Sequence, residues 1–310
     1  LSSCPVVHES VREGVLGAFR GLDGVVLFEG CEGMEGLGNL WASLFPTQRI
    51  ERIPSGKANG AGSEPGNLRA DYERLRRRLE DWAGRPIEGR DLRWSIGVYN
   101  QNRILADELD RFRRERPGRL PARIYYPLLD AGRALPCEQH SRILEQALDA
   151  AFEGRDLLEE GARILVAGPP CGPVPLSFLE TLEAAGCRIV GDDFQSGRRW
   201  IRRMVDTVRD PLASLAQAYG EGAPFPGRSA SPETRAESLL ARARRLGAQG
   251  VVVVLPEMCP PLARSLDVVR ATLAAAEMPC LVAEPAVPGK GLDSLRRAAE
   301  GFVATALRVG

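Results

Sequence analysis

Short apolar runs alternate with amphipathic stretches along most of this chain. The runs are rich in Val, Ile and Leu and are bounded by turn-forming residues, which is typical of buried strands. In the stretches between them apolar residues recur at every third or fourth position, which predicts helices. Strands are predicted at 24–28, 49–53, 163–167, 188–190, 251–255 and 281–283. Helices are predicted at 9–20, 37–45, 67–84, 87–116, 125–134, 138–152, 176–184, 231–246, 262–276 and 292–307.

The order of these elements predicts an α/β protein with two lobes and a helical middle segment. Strands that alternate with helices form parallel sheets with right-handed crossovers. The unbroken Val run at 251–254 is expected of a central strand that is covered on both faces. We place an N-terminal α/β lobe with a helical extension at 1–120 and a C-terminal α/β lobe at 121–310.

Three of the apolar runs are followed closely by a cysteine. Cys31 follows the first run, Cys171 follows the run at 163–167, and Cys259 follows the Val run. Parallel strands would bring all three thiols to the carboxyl edge of a sheet, where open α/β folds bind ligands. Three soft ligands at such an edge favour an iron–sulfur cluster or zinc over a disulfide framework.

Composition narrows the class of protein further. The 310 residues carry 41 Lys and Arg against 41 Asp and Glu, so no basic surplus indicates a nucleic-acid partner. The apolar runs are too short to span a membrane, and no leader sequence opens the chain, which predicts a cytoplasmic protein. Seven irregularly spaced cysteines in a chain of this length indicate reduced thiols.

A set of short motifs follows the stretch from Cys4 to Leu27 in a fixed order. The motifs are Gly30-Cys31-Glu32, Tyr99-Asn100 with Arg103, Gly191-Asp192-Asp193, Ser196-Gly197-Arg198, Met258-Cys259-Pro260-Pro261 and Pro279-Cys280-Leu281. Together they cover nearly the whole chain and resemble one family, the subunits of 2-hydroxyacyl-CoA dehydratases and benzoyl-CoA reductases, as in the 2-hydroxyglutaryl-CoA dehydratase D-component. Gln195 stands where many members of the family carry a cysteine, so the substrate does not carry over by analogy.

The resemblance implies a [4Fe-4S] cluster in a cleft between two Rossmann-like lobes. Its ligands would be Cys4, Cys31 and Cys259, of which Cys4 is added by the family and the other two already follow strands. Three protein ligands leave one iron open to water or substrate. The family activity is low-potential electron transfer to an acyl-CoA thioester, in a homodimer or heterodimer supplied by an ATP-dependent iron–sulfur activator protein. The alternatives are a benzoyl-CoA reductase-like enzyme and a double-cubane electron-transfer protein without dehydratase activity.

The remaining candidate residues are interpreted as follows. Cys171 would close the cluster or serve an enlarged one if it bound iron, and otherwise lines the cleft. Cys137, Cys187 and Cys280 are expected to be structural or core residues. Asp192 and Asp193 would act as acid or base groups, bind a cation, or cap a helix near Ser196. Arg198 and Arg199 would pair with these acids or contact a CoA phosphate. Neither His8 nor His140 has the spacing of a metal ligand.

Overall fold

The computed structural model of the chain has an α/β fold with parallel strands. It describes residues 4–54, 65–169, 174–194, 201, 204–220, 231–256, 259–284 and 291–309. The strands are β1 (Gly24–Glu29), β2 (Arg49–Pro54), β3 (Ala162–Ala167), β4 (Cys187–Asp192), β5 (Gly250–Val254) and β6 (Cys280–Ala283). The helices are α1 (Pro5–Leu16), α2 (Glu32–Leu44), α3 (Pro65–Ala83), α4 (Gly89–Glu115), α5 (Ala122–Ala131), α6 (Cys137–Glu153), α7 (Leu176–Ala184), α8 (Pro211–Gly220), α9 (Pro232–Arg245), α10 (Pro260–Ala275) and α11 (Leu292–Val309).

The predicted fold class is confirmed, and every predicted strand and helix is present with ends shifted by a few residues. Helix α8 lies outside the predicted set. Its start is nevertheless encoded locally, because Pro211 takes the first helical position and Asp210 Oδ1 accepts the Ala213 N–H at 2.8 Å. Among the described helices none is both long enough and apolar enough to cross a bilayer.

The first compact unit comprises residues 1–97 and 205–230 and contains a two-stranded sheet. Its strands β1 and β2 pair in parallel, with Val25 opposite Ile50 and Leu27 opposite Arg52. Helices α1 and α2 share a small core of three buried residues, Val7, Leu37 and Trp41, against which Val25, Leu27 and Ile50 pack. Helices α3 and α8 contact each other, and the Phe28 ring lies 4.8 Å from that of Tyr219.

The second unit comprises residues 98–204 and 231–310 and contains a four-stranded sheet in the order β4-β3-β5-β6. One sheet face packs on residues from α4, α5, α6, α7 and α11, and the other packs on α9 and α10. All five residues of β5 are buried, which confirms the predicted central strand. The chain passes from β3 to β4 on one side and then to β5 on the other, so the β3/β5 boundary is the topological switch point.

The first N–H group of helix α5 is capped by a side chain of another helix. Pro121 precedes α5 and has no side chain that can accept a capping hydrogen bond. Both carboxylate oxygens of Glu183, near the end of α7, accept the Ala122 N–H at 2.9 Å instead. Burial raises the pKa of Glu183, and this backbone hydrogen bond opposes the shift. A residue 61 positions away in sequence therefore fixes the start of α5.

Candidate functional site

Cys31 stands between a strand and a helix in the first unit. Strand β1 ends at Glu29, a buried Gly30 follows, and Cys31 is the N-cap residue of α2. Its backbone is extended, and its carbonyl oxygen accepts the Glu35 N–H at 3.1 Å, which starts the helix. The half-buried thiol is therefore held at the carboxyl edge of β1, as the sequence predicted.

Cys4 occupies the corresponding position before α1. It is the N-cap residue of that helix, with Pro5 as the first helical residue, and its carbonyl oxygen accepts the His8 N–H at 3.1 Å. Its side chain is half-buried and packs against the core of the first unit. Both Cys4 and Cys31 thus begin helices that share one small apolar core.

Cys259 is placed in the same way in the second unit. It follows β5, the strand at the topological switch point, and it is the N-cap residue of α10. Its carbonyl oxygen accepts the N–H groups of Leu262 and Ala263 at 3.1 and 3.0 Å, and its thiol is half-buried. A ligand at this position would lie at the sheet edge where α/β proteins commonly bind their substrates.

The three cysteines share a local environment that favours negative charge. A helix N-terminus carries a partial positive charge from its unpaired N–H groups, and it stabilises anions nearby. All six described cysteines are thiols rather than disulfides. Within the described ranges, no three His, Cys, Asp or Glu side chains are grouped closely enough to hold a metal ion. Cys171 lies outside the described residues.

The other described cysteines have structural surroundings. Cys187 is the first residue of β4 and is fully buried, which raises the pKa of its thiol to about 12. Cys280 begins β6 and packs against a core cluster, and burial raises its pKa as well. Cys137 is the first residue of α6, and its Sγ donates to the Val98 carbonyl oxygen at 3.8 Å. The prediction that these three are core or structural residues agrees with their positions.

The two aspartates at the end of β4 are engaged with arginines. Asp192 Oδ2 accepts the Tyr126 hydroxyl at 3.1 Å and lies 3.8 Å from Arg113 Nη1, and both ionic side chains are buried. Asp193 Oδ1 lies 3.8 Å from Arg242 Nη1. Burial raises the pKa of Asp192, whereas Arg242 and Arg113 lower it. Arg198 and Arg199, which the sequence suggested as their partners, lie outside the described residues, as does the helix start predicted near Ser196.

Sequence reasoning missed the buried Arg113. This residue is 1% exposed and lies over the rings of Tyr125 and Tyr126, at 4.1 and 4.8 Å from their centroids. One signal was available, because Arg113 follows the buried Leu109 by four residues and so lies on the apolar stripe of α4. A charged residue on such a stripe predicts a buried partner.

The class of protein is defined by two α/β units with parallel strands, in each of which a cysteine after a strand begins a helix. The comparisons with known proteins give the family. The chain matches the family model of the 2-hydroxyglutaryl-CoA dehydratase D-component over residues 2–303. The chain therefore belongs to this family of enzyme subunits, which confirms the resemblance predicted from the sequence.

Three relatives with known names are similar to the chain over most of its length. It is 29% identical over 266 residues to one of the benzoyl-CoA reductase subunits of Thauera aromatica, covering 83% of this chain and 67% of that protein. It is 22% identical to the (R)-phenyllactyl-CoA dehydratase beta subunit of Clostridium sporogenes, covering 97% and 80%. It is 24% identical to the lactoyl-CoA dehydratase beta subunit of Anaerotignum propionicum, covering 84% and 68%.

Proposed function

We propose that the chain is the iron–sulfur subunit of a 2-hydroxyacyl-CoA dehydratase-like enzyme, with a [4Fe-4S] cluster bound by Cys4, Cys31 and Cys259. One observation carries the proposal: each of these cysteines is the N-cap residue of a helix, and each thiol is half-buried. Cys137 differs, because it lies inside the first turn of α6, after the N-cap residue Pro136, and its thiol donates to the Val98 carbonyl oxygen. A core cysteine would instead resemble Cys187, which is fully buried within a strand.

The residues fit the cluster chemically. Iron–sulfur clusters are held by cysteine thiolates, and the positive end of a helix favours the negative charge of such a centre. When bound, the cluster would supply low-potential electrons for chemistry on an acyl-CoA thioester. The role of the chain is to hold three thiolates on helix starts, where packing on a core limits their movement, as Cys4 does on the Val7, Leu37 and Trp41 core.

The number of protein ligands decides the kind of centre. Three thiolates leave one iron with an open position for water or substrate, which suits a catalytic cluster. If Cys171 supplied a fourth thiolate, the cluster would be closed and would serve electron transfer only. If it belonged to a larger ligand set, a double-cubane protein would result.

The partners follow from the names of the relatives. All three are subunits of enzymes that act on CoA derivatives. We therefore assign an acyl-CoA substrate, a second subunit, identical or related, and an ATP-dependent iron–sulfur activator protein as the electron donor.

A benzoyl-CoA reductase-like activity is the second candidate. One observation favours it, since the 29% identity to the benzoyl-CoA reductase relative exceeds the 22% and 24% identity to the two dehydratase relatives. Assays of the assembled enzyme with a 2-hydroxyacyl-CoA and with benzoyl-CoA separate the two, since only the dehydratase forms an enoyl-CoA without net reduction.

Anaerobic purification tests the cluster. We expect about four irons and four sulfides per chain, and an EPR signal after reduction. Cys4→Ala, Cys31→Ala and Cys259→Ala should each lower the iron content, whereas the matched control Cys280→Ala, half-buried at the amino end of β6, should retain it. An iron-free, colourless protein whose thiols all titrate would end the proposal.

The same preparation assigns Cys171. If Cys171→Ala keeps its iron and its EPR signal, the cluster has three protein ligands and an open site. Loss of iron in this variant would identify a closed cluster, and a wild-type iron content clearly above that of one cubane would identify a double-cubane protein.

A further inference from the structure

We propose that Arg103, together with the ring of Tyr99, binds a phosphate group of the acyl-CoA substrate. The inference rests on the proposed function for its substrate class, and otherwise on the surroundings of one arginine in α4. It assigns a binding subsite to α4 of the second unit, in residues other than the three proposed cluster ligands.

Arg103 is a half-buried cation whose described neighbours are neutral. Its Nη1 donates to Asn100 Oδ1 at 3.2 Å, and its guanidinium carbon lies 6.0 Å from the centroid of the Tyr99 ring. Burial lowers the pKa of Arg103, and the groups that oppose this shift are the Cys137 thiol and the Tyr99 hydroxyl. Among the described residues no carboxylate pairs with Arg103.

Four other arginines of this unit that are buried or half-buried are differently surrounded. Arg113 and Arg242 pair with Asp192 and Asp193, and Arg114 pairs with Asp110. Arg163 donates to three backbone carbonyl oxygens, those of Gly247, Arg114 and Leu246. Guanidinium groups removed from water normally acquire such acceptors, because an unmade charged hydrogen bond is costly. Arg103 uses one of its five N–H donors on an amide, so four are available for a ligand.

The start of helix α6 and the ring of Tyr99 lie near Arg103. The thiol of Cys137, the first residue of α6, contacts the carbonyl oxygen of Val98 on the same helix as Arg103, which brings the start of α6 to α4. The partial positive charge of that helix start adds to the guanidinium charge. The carboxylate of Glu138 in the first turn of α6 is exposed and raises the pKa of Cys137, while Arg103 lowers it.

These features fit a phosphate better than an acyl carboxylate. A guanidinium binds phosphate oxygens through two parallel hydrogen bonds. An acyl-CoA carries a phosphomonoester and a pyrophosphate whatever its acyl group, whereas a free acyl carboxylate is present in a 2-hydroxyglutaryl group but absent from benzoyl, phenyllactyl and lactoyl groups. The Tyr99 ring is 46% exposed, which leaves a flat apolar surface beside the cation for the adenine of CoA.

Calorimetric titration of the full chain, purified anaerobically, tests the subsite. The probes are CoA, 3′-dephospho-CoA and inorganic pyrophosphate, and the variants are Arg103→Met, Arg103→Lys and, as a matched control at an exposed position of α4, Arg111→Met. We expect Arg103→Met to weaken CoA binding about tenfold or more, and the lysine variant to recover part of the loss. The control should bind as the wild type does.

The probes identify the phosphate. If Arg103→Met binds CoA and dephospho-CoA with about the same affinity, the residue contacts the 3′-phosphate. If the variant loses affinity for CoA, dephospho-CoA and pyrophosphate alike, the residue contacts the pyrophosphate. A wild-type chain that binds no CoA, or an Arg103→Met variant that binds it unchanged, overturns the subsite.

Iron content measured in the same samples separates the two proposals. Iron-loaded protein with unchanged CoA binding in Arg103→Met sinks the subsite alone. Iron-free protein whose CoA binding still depends on Arg103 sinks the cluster alone. Circular dichroism of each variant excludes loss of folding as the cause.

Discussion

Arg113 is a fully buried cation held by two tyrosine rings and one carboxylate. Its guanidinium lies over Tyr125 and Tyr126, and Asp192 lies 3.8 Å away. Tyr125 in turn donates to Asp110 at 3.0 Å, and burial raises the pKa of both tyrosines well above the ordinary value. The hydroxyls therefore stay protonated and can donate to the two carboxylates.

Replacing Arg113 should be costly because it removes the cation that pairs with the buried Asp192, and of the two arginines that lower the pKa of this carboxyl only Arg242 remains. We expect Arg113→Met to lower the free energy of unfolding by about 3–5 kcal/mol, as for other buried ion pairs that lose one partner. Urea unfolding followed by circular dichroism measures the loss. Arg12→Met is the control, since the Arg12–Glu9 pair is 57% and 60% exposed and its removal should leave the midpoint unchanged. Equal losses of unfolding free energy in the two variants would contradict the role of Arg113 as a buried ion-pair partner.

Cys187 should make the protein sensitive to alkali. The thiol ionises near 9.0 in the unfolded chain and near 12 in the folded one, because burial disfavours the thiolate. A raised folded-state pKa gives a stability contribution that is complete below about pH 9 and is lost as the pH rises toward 12. The slope from this group reaches about 1.4 kcal/mol per pH unit.

Unfolding free energies at pH 8, 9 and 10 test this effect. The free energy of unfolding of Cys187→Ala should fall less steeply with pH than that of the wild type. Ionisation of the tyrosines contributes to the fall in both proteins. Val190→Ala, a buried change in the same strand, should lower stability equally at each pH. If Cys187→Ala declines as steeply as the wild type, the thiol is not the group responsible.

At the scale of elements, a buried histidine joins three helices. His140 of α6 donates from Nε2 to the Leu128 carbonyl oxygen of α5 at 2.8 Å, so Nδ1 accepts from Asn102 of α4 at 3.0 Å. Asn102 also donates to Ser141 Oγ at 2.8 Å. Each polar atom of the ring has a partner, which agrees with the structural role expected of a histidine outside any metal-ligand spacing.

Gly132, at the end of α5, is required by this junction. A Cβ added there would lie 2.6 Å from His140 Cε1 and 2.7 Å from Nδ1. We expect Gly132→Ala to lower the free energy of unfolding by about 1–3 kcal/mol through overpacking. Gly301→Ala is a matched control within α11, where a Cβ meets nothing within 4 Å, and it should raise stability by up to about 1 kcal/mol. If both substitutions changed the free energy of unfolding in the same direction, crowding of a Cβ at position 132 against His140 would be refuted.

Local patterns predicted the elements well, whereas contacts between distant residues were not predictable. Strand β5 was evident because a strand buried on both faces needs continuous apolar residues. The positions of Cys31 and Cys259 followed from strand ends, whereas only the family resemblance indicated Cys4, the N-cap residue of α1. The Arg113–Asp192 pair joins residues 79 positions apart, and no periodicity encodes such a partner.

At the scale of the whole molecule, the two units differ in the size of their cores. The apolar cluster in the described part of the first unit has three buried residues, and residues of the two-stranded sheet pack against it. The second unit has two extensive clusters, one on each face of a four-stranded sheet. Because the free energy of local unfolding depends on buried apolar area, we expect it to differ between the two units.

Hydrogen exchange tests this difference. We expect the amides of β1 and β2 to exchange at least about tenfold faster than those of β3 and β5, because smaller cores open more easily. Mass spectrometry of peptides from each strand measures the rates. Uniform protection would show that the two units open together.

A bound cluster should slow exchange at Cys4 and Cys31 in the first unit.

The cap of α5 by Glu183 has a consequence for the order of folding. Helix α5 is ten residues long and contains Pro127, and its first N–H is satisfied by a side chain that belongs to α7. A peptide of α5 alone should therefore be largely unstructured, since short helices without caps nucleate poorly. We therefore expect docking of α7 to stabilise α5, so that the loop closure between these two segments precedes growth of this helix.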